Sequence, residues 1–462
     1  MNENKELENT QNLEAPTFDT ESIATFDTEP TVEPEVTITE LEVVEPDTAK
    51  PEAKEPKQNQ RKQFIKYAAV NFTFFITMTF GGGYVTAFLQ SIGFNAQQVG
   101  NLQAINSGVG IFSSPFWGML SDKFRSLKKV IITALSIGAL LFLFIPFVSR
   151  FNIVGISVLF FFIPLAMFFR MPVMSLIDNW MLRNCRKENL NYGALRAFGA
   201  LSFAIVAFAL GFIVPRTGYA FIFYAGVILT IPPLLLMIFI KGSADDQGMD
   251  KKRLTFKEMK LGQLFKDYYL VTYILFTVIQ RIPFQSSMIF LPFLIQAEGI
   301  GGNMAQIGII MGVRAAVEIP LMMLLKPLRQ RFPLYVLIIV ATGFFVVECI
   351  LFSMATNFNM IIAISVLHGI GNGLMIPSGS SYVFQLAPEN LKATTQTVLA
   401  SVNAIAGILA GLLGGFLITR MGVQQFYLVI GIALSIALSV FILSFFIGSK
   451  VLKIKRPGLS LV

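Results

Sequence analysis

Gly118-Met119-Leu120-Ser121-Asp122-Lys123-Phe124-Arg125-Ser126-Leu127-Lys128-Lys129 is a short polar, basic stretch set between two long uncharged runs. Residues 98–117 before it hold no charge, and neither do residues 130–148 after it. About 20 apolar residues in a helix cross a hydrocarbon core of about 30 Å. Only helices and closed barrels satisfy every backbone polar group in lipid. The pattern therefore reads as a hairpin of two membrane helices, with its basic turn held at the lipid head groups.

Reading outward from that hairpin, runs of similar length recur near 65–89, 98–120, 128–149, 152–177, 192–215, 218–240, 268–296, 303–326, 333–355, 359–384, 392–419 and 423–448. The expectation is an all-α membrane protein of twelve transmembrane helices. Composition agrees: 54% of the 462 residues are hydrophobic, 45 of them Phe, and 14% are charged against about 25% in a soluble protein. Two cysteines, Cys185 and Cys349, exclude a disulfide framework or a cysteine-rich metal site. No cofactor, metal or nucleic-acid partner is expected, and an enzyme is disfavoured because no nucleotide loop or paired catalytic carboxylates stand out.

The formal charge of +8 describes neither part of the chain. Residues 1–60 hold 16 Asp/Glu and 4 Lys, and repeat Thr17-Phe18-Asp19-Thr20-Glu21 as Thr25-Phe26-Asp27-Thr28-Glu29. Such a segment has too little apolar surface to offset the entropy of ordering, so residues 1–63 are expected to be a disordered acidic tail. It lacks the basic and apolar regions of a secretory leader. The remainder is strongly basic, and its charges fall on one side: 25 Lys/Arg lie in the tail-side segments and three, Arg150, Arg216 and Arg420, in the opposite ones. By the positive-inside rule both termini are cytoplasmic in a multi-pass plasma-membrane protein. The longest internal polar segment, 241–267, then separates two six-helix bundles, 64–240 and 268–449, with a basic C-terminal tail over 450–462. Paired six-helix halves around a midplane cavity are a secondary-transporter plan.

Gly118, Asp122 and Lys123, followed by Lys128-Lys129, resemble the cytoplasmic loop motif of the major facilitator superfamily, which implies that fold and a conformational switch at this loop. Gly118 would allow close helix contact and Asp122 would accept hydrogen bonds at a helix end. Tyr192-Gly193-Ala194-Leu195-Arg196-Ala197-Phe198-Gly199 resembles the Gly-x-x-Arg-x-x-Gly opening of span five in the branch containing lactose permease and phenylpropionate permease. In sugar-carrying members of that branch, an acid in span four pairs with this Arg, and an aromatic residue seven positions on stacks on the sugar. The resemblance places those roles on Asp178, at the end of span four, on Arg196 and on Phe203. Ala316-Val317-Glu318-Ile319 and Leu367-His368-Gly369 also resemble this branch. Two departures stand out: Gly371 replaces the proton-carrying Glu that follows the span-ten His, and Glu348 replaces an Arg of span nine.

An ionisable group at membrane depth is costly and hence a functional candidate. Arg170, Asp178, Arg196, Arg281, Arg314, Glu318, Glu348 and His368 make up this set. Arg196 and Phe203 share a helix face. Asp178, Arg196 and Phe203, with Asn71 of span one, are the candidate substrate-binding residues. Arg314 and Glu318, four apart, can pair along one helix; an acid beside a movable Arg suits a proton carrier. Glu348 is expected to meet Arg281, Arg314 or His368 across helices. The proton-coupling set is thus Glu318, Arg314, Glu348 and His368. The expected function is proton symport of a sugar or glycoside, a nucleoside or an aromatic acid, by a monomer whose partners are a small solute, protons and the bilayer. An efflux antiporter of the same fold and a non-transporting sensor are the alternatives.

Overall fold

The computed structural model describes residues 57–81, 83–153, 156–240, 266–303, 306–388 and 392–454. Residues 1–56, most of the central segment 241–267 and residues 455–462 lie outside the described set, so the expectations for the tail, the loop and the C-terminus fall largely there. In chain order the helices are α1 (Lys57–Thr79), α2 (Gly83–Ser91), α3 (Ala96–Lys123), α4 (Leu127–Val148), α5 (Leu159–Lys187), α6 (Tyr192–Thr217), α7 (Phe221–Ile228), α8 (Ile231–Phe239), α9 (Tyr268–Ile295), α10 (Ile307–Arg331), α11 (Leu334–Ser353), α12 (Phe358–Leu386), α13 (Lys392–Met421) and α14 (Val423–Phe446). Between α4 and α5 lie two short antiparallel strands, β1 (Asn152–Ile153) and β2 (Ile156–Ser157).

Among the described residues, ten helices, counting α1 with α2 and α7 with α8 as single spans, are long and apolar enough to cross a membrane. α3 is equally long but lined by Gln97, Gln98, Asn101, Gln103 and Asn106; α10 is of similar length and carries Arg314 and Glu318. Three boundaries differ from the sequence reading. α1 starts at Lys57, inside the stretch expected to be tail. The fourth run does not begin as a helix at residue 152: Asn152–Ile153 and Ile156–Ser157 pair as β1 and β2, and α5 starts at Leu159. It then continues to Lys187, past the expected 177, with Arg186 and Lys187 in its last turn where cations suit the helix dipole. Asp178 therefore lies well inside α5 rather than at its end.

The helices of 57–240 pair as α1·α6, α4·α5, α3·α5, α1·α8 and α4·α7, and those of 266–454 repeat this scheme as α9·α13, α11·α12, α10·α12, α9·α14 and α11·α14. The halves meet through α3·α13 and α6·α10. Lys128 Nζ donates to the Ile240 carbonyl (2.7 Å), which puts the α3–α4 turn and the end of α8 at the same end of the molecule, with the start of α1. This is the tail end. At the opposite, far end Gln90 Nε2 of the first half donates to Gln296 Oε1 of the second (2.9 Å).

Contact between halves is tightest at the far end, where it depends on glycine. A Cβ on Gly100 of α3 would overlap the Gly411 carbonyl oxygen of α13; one on Gly308 of α10 would overlap the Tyr84 hydroxyl and the Ala207 carbonyl. Small residues of this kind let helix backbones approach closely. The apolar core follows the same division. One cluster at the far end joins Phe80, Tyr84, Phe88 and Leu210 of the first half to Phe290, Ile307, Met311 and Ala410 of the second. Toward the tail end the core splits in two. Tyr67, Trp117, Leu127 and Trp180 belong to a first-half cluster, and Tyr273, Leu337, Tyr382 and Phe441 to a second-half cluster.

Candidate functional site

Asn191 caps α6 through a hydrogen bond to the Ala194 amide, and the helix thus begins with Tyr192 and Arg196 on one face. Both reach Asp178 of α5. The Tyr192 hydroxyl donates to Asp178 Oδ1 (2.9 Å), while Arg196 Nε stands 3.8 Å from the same oxygen. The guanidinium carbon lies 4.1 Å from the centre of the Phe75 ring of α1. Gly199, one turn further along α6, makes room for that ring: a Cβ there would come within 2.6 Å of it. Arg196 is therefore held between a carboxylate and a π face, yet the Arg196 and Asp178 side chains are 35% and 29% exposed. An ion pair this long and this accessible is worth under about 1 kcal/mol. It orients the guanidinium without consuming its donor capacity.

Asn71 of α1 donates through Nδ2 to the Leu195 carbonyl (2.7 Å) and is buried, tying α1 to α6 directly before Arg196. Phe203 is partly buried and packs between the far-end and first-half core clusters. At the end of α3, the Asp122 carbonyl accepts the amides of Phe124 and Arg125, with Arg125 at φ 49°, and Lys123 is the last helical residue. Gly118 makes no close approach here: a Cβ on it would meet nothing within 4 Å. That is a departure from the expected close helix contact.

In the second half Arg314 of α10 donates through Nη2 to Ser287 Oγ of α9 (2.8 Å) and to Glu348 Oε1 of α11 (3.1 Å). Both Glu348 oxygens lie 3.0 Å from His368 Nδ1 of α12. Either Nδ1–H donates to the carboxylate or the protonated carboxyl donates to Nδ1, and Nε2 meets no partner among the described residues. The His368 ring stacks on Phe284 (5.6 Å) and takes the edge of Phe345 (5.4 Å). The expected Arg314–Glu318 pair along α10 is not formed. Arg314 turns to the buried Glu348, and Glu318 Oε2 instead accepts a hydrogen bond from Asn372 Nδ2 (2.8 Å). Of the three partners open to Glu348, Arg314 and His368 are used and Arg281 is not. The slot at Gly371 is closed by the Phe345 ring and the Ala341 carbonyl. The acid that meets His368 consequently comes from α11 rather than from α12 itself.

α6 and α10 pack against each other, and Glu318 lies within electrostatic reach of Arg196. The α6–α10 contact thus brings two polar groups near each other: Asp178–Arg196 with Tyr192 and Phe75, and Glu318–Asn372. Sequence reading missed Phe75, which carries no signal among 45 Phe. Tyr192 it could have caught, because it stands one turn before Arg196.

The MFS_1 like family matches residues 64–429, from α1 into α14. The chain belongs to this family. A Bacillus subtilis (strain 168) protein described as the uncharacterized transporter YwbF is 26% identical over 349 residues, covering 74% of this chain and 83% of that protein. The maltose permease of Geobacillus stearothermophilus is 23% identical over 376 residues, covering 80% and 92%. Among solved structures, the nucleoside transporter NupG superposes with a TM-score of 0.69 at 16% identity, over 83% of this chain and 98% of that one. At that identity the likeness speaks for the fold. This member of the MFS_1 like family is a membrane transporter of the major facilitator superfamily.

Proposed function

We propose that the protein carries a small solute (a sugar or glycoside, a nucleoside or an aromatic acid) across the plasma membrane by alternating access, as a proton symporter. The observation that supports this reading best is the core that is continuous at the far end and divided at the tail end, with Asp178–Arg196 and Glu318–Asn372 facing each other in the gap. The name of the maltose permease relative favours a glycoside within this range. Twelve spans, counting α3 and α10, in bundles 64–240 and 268–449 would leave both termini on one side, the basic bias of that side favours the cytoplasm, and on this reading the arrangement is an inward-open monomer.

Arg196 offers planar donors to paired hydroxyls or a carboxylate, while Phe75 and Phe203 supply apolar faces for a sugar ring or an aryl group. Asp178 neutralises Arg196 when no solute is present. Glu318, opposite Arg196 and bonded only to neutral Asn372, is positioned to take up a proton as solute arrives. The buried Arg314–Glu348–His368 chain leads away from it and holds the second bundle in register. Rocking of one bundle on the other opens the glycine-lined far end as the Gly118–Lys123 turn closes the tail end.

The test is uptake by proteoliposomes under an imposed proton gradient, with sugars, nucleosides and aryl acids. Glu318→Gln is expected to keep solute exchange at equal concentrations and to lose gradient-driven accumulation. Accumulation by Glu318→Gln equal to the parent protein would refute the coupling role, and undiminished transport of every solute by Arg196→Ala would refute the binding site.

A further inference from the structure

α9 carries a cation that the site above does not use. Three of the four embedded arginines have an evident counterpart. Arg196 has Asp178, Arg314 has Glu348, and Arg170 donates to the Thr77 carbonyl at the end of α1 while lying 4.3 Å over the Phe142 ring. Arg281 differs: among the described residues it has neither a hydrogen-bond acceptor nor a carboxylate within ion-pair distance and it is partly accessible, whereas Arg170 and Arg314, which also leave buried nitrogens unpaired, each keep at least one acceptor.

The side of α9 on which it stands follows from its neighbours. The guanidinium lies 5.7 Å from the Phe284 ring, and Phe284 stacks on His368 of α12. It is also within electrostatic reach of Tyr273, whose hydroxyl fills the space beside Gly379 of α12 and whose ring packs on Tyr382 at 5.1 Å. Arg281 thus sits between two residues that both face α12. The contacts Phe284–His368 and Tyr273–Gly379 fix an antiparallel register that sets Gln280 level with Asn372. Gln280 is fully buried, and neither its amide nitrogen nor its oxygen has a protein partner; the Oδ1 of Asn372 has none either. A buried amide left wholly unpaired costs about 1–3 kcal/mol per group, and an unpaired guanidinium at membrane depth costs more. A partly accessible guanidinium without a counter-charge is the group that recognises a carboxylate or a phosphate.

We propose that Arg281 receives an anionic group of the cargo, so that the solute carried is a small organic anion bearing a carboxylate or phosphate. This rests on the reading of the gap between the halves as the transport site, and narrows its substrate class. The cargo then spans the gap. Its anion meets Arg281, and its hydroxyl or aryl portion meets Arg196, whose charge Asp178 already offsets. Binding also neutralises the one guanidinium whose enclosure would otherwise oppose closure of the tail end, which favours movement of the loaded over the empty protein.

The experiment uses the full-length protein in detergent and in proteoliposomes, with matched probes: glucuronate against glucose, uridine 5′-monophosphate against uridine, and benzoate against benzamide. Binding is read by thermal shift, and exchange by flux for the two impermeant pairs. At least one anion is expected to stabilise the protein where its neutral partner does not. Arg281→Gln should raise the half-saturating concentration of that anion at least tenfold, and Arg281→Lys, which keeps the charge, should raise it less. Melting of the ligand-free variants alongside the parent separates loss of binding from loss of folding. Stabilisation by none of the three anions, or an anion response unchanged in Arg281→Gln, overturns the inference. Glucose or uridine exchanged by both parent and Arg281→Gln overturns it too, while leaving the transport reading intact. That reading fails separately if Arg196→Ala leaves such exchange undiminished.

Discussion

Gly100→Ala adds one methyl group at the point where the halves are closest, and the structure permits the consequence to be worked out. A Cβ there overlaps the Gly411 carbonyl oxygen and lies 3.1 Å from the Gly415 α-carbon. Both are backbone atoms, so no side-chain rotation relieves the clash; α3 or α13 must move. Overpacking of this kind costs about 1–3 kcal/mol. The cost falls on the state closed at the far end and not on one in which α3 and α13 have separated. At 1.4 kcal/mol per tenfold, the population should shift toward the far-end-open state by about 5- to 150-fold. Gly118→Ala is the internal control, because its Cβ would point into open space in this state. The assay is maleimide labelling of a cysteine introduced at Ser107, which faces Gly407 of α13 beneath the seam, with reagent added from the far side. The two native cysteines are buried and give a low background. Gly100→Ala should raise the labelling rate at least fivefold and slow net flux, with Gly118→Ala unchanged in labelling. A labelling rate in Gly100→Ala equal to that of the parent would refute the assignment of the far end as a glycine-dependent gate.

Other perturbations probe the two polar groups. Glu348→Gln leaves Arg314 without a counter-charge in a nearly dry site; removing one member of such a pair costs about 3–5 kcal/mol, and thermal melting should show the loss. The double substitution Arg314→Met with Glu348→Leu should melt closer to the parent than Glu348→Gln does, since it leaves no charge unpaired; a double variant no more stable than the single one would count against this. Tyr192→Phe removes the 2.9 Å hydrogen bond to Asp178. It should raise the half-saturating solute concentration by up to about fivefold, as befits roughly 1 kcal/mol, with the maximal rate little changed.

The parts of this protein differ in how far they were legible in the sequence. Apolar run length is a local property, so most spans could be placed within a few residues. It misled where the strands β1 and β2 interrupt the run after Asn152, since no charge in 152–157 marks the break. Run length alone also does not show that α1 ends at Thr79 and α2 begins at Gly83, or that α7 gives way to α8 ahead of Pro232-Pro233. The embedded charges were visible for the same reason as the spans: each is an ionisable residue in an otherwise uncharged run. Their partners were not. Arg314 and Glu318 are one turn apart and invite pairing, yet helix spacing says nothing about what stands on the neighbouring helices. Glu348 and Asn372 come from α11 and α12, and each takes one member of the expected pair.

What the sequence alone determined is therefore the material: apolar segments of membrane length, a basic bias on the tail side, and an inventory of ionisable residues that lipid would not tolerate without purpose. Hydropathy and charge act residue by residue, and can be summed along a chain. Tertiary structure decided the pairing and the state. It set Phe75 beneath Arg196, gave Glu348 to Arg314 and His368, left Arg281 without an acid, and joined the halves at the far end while parting them at the tail end. These depend on how each helix is rotated and where its glycines let a neighbour approach, and that information exists only once the helices are packed.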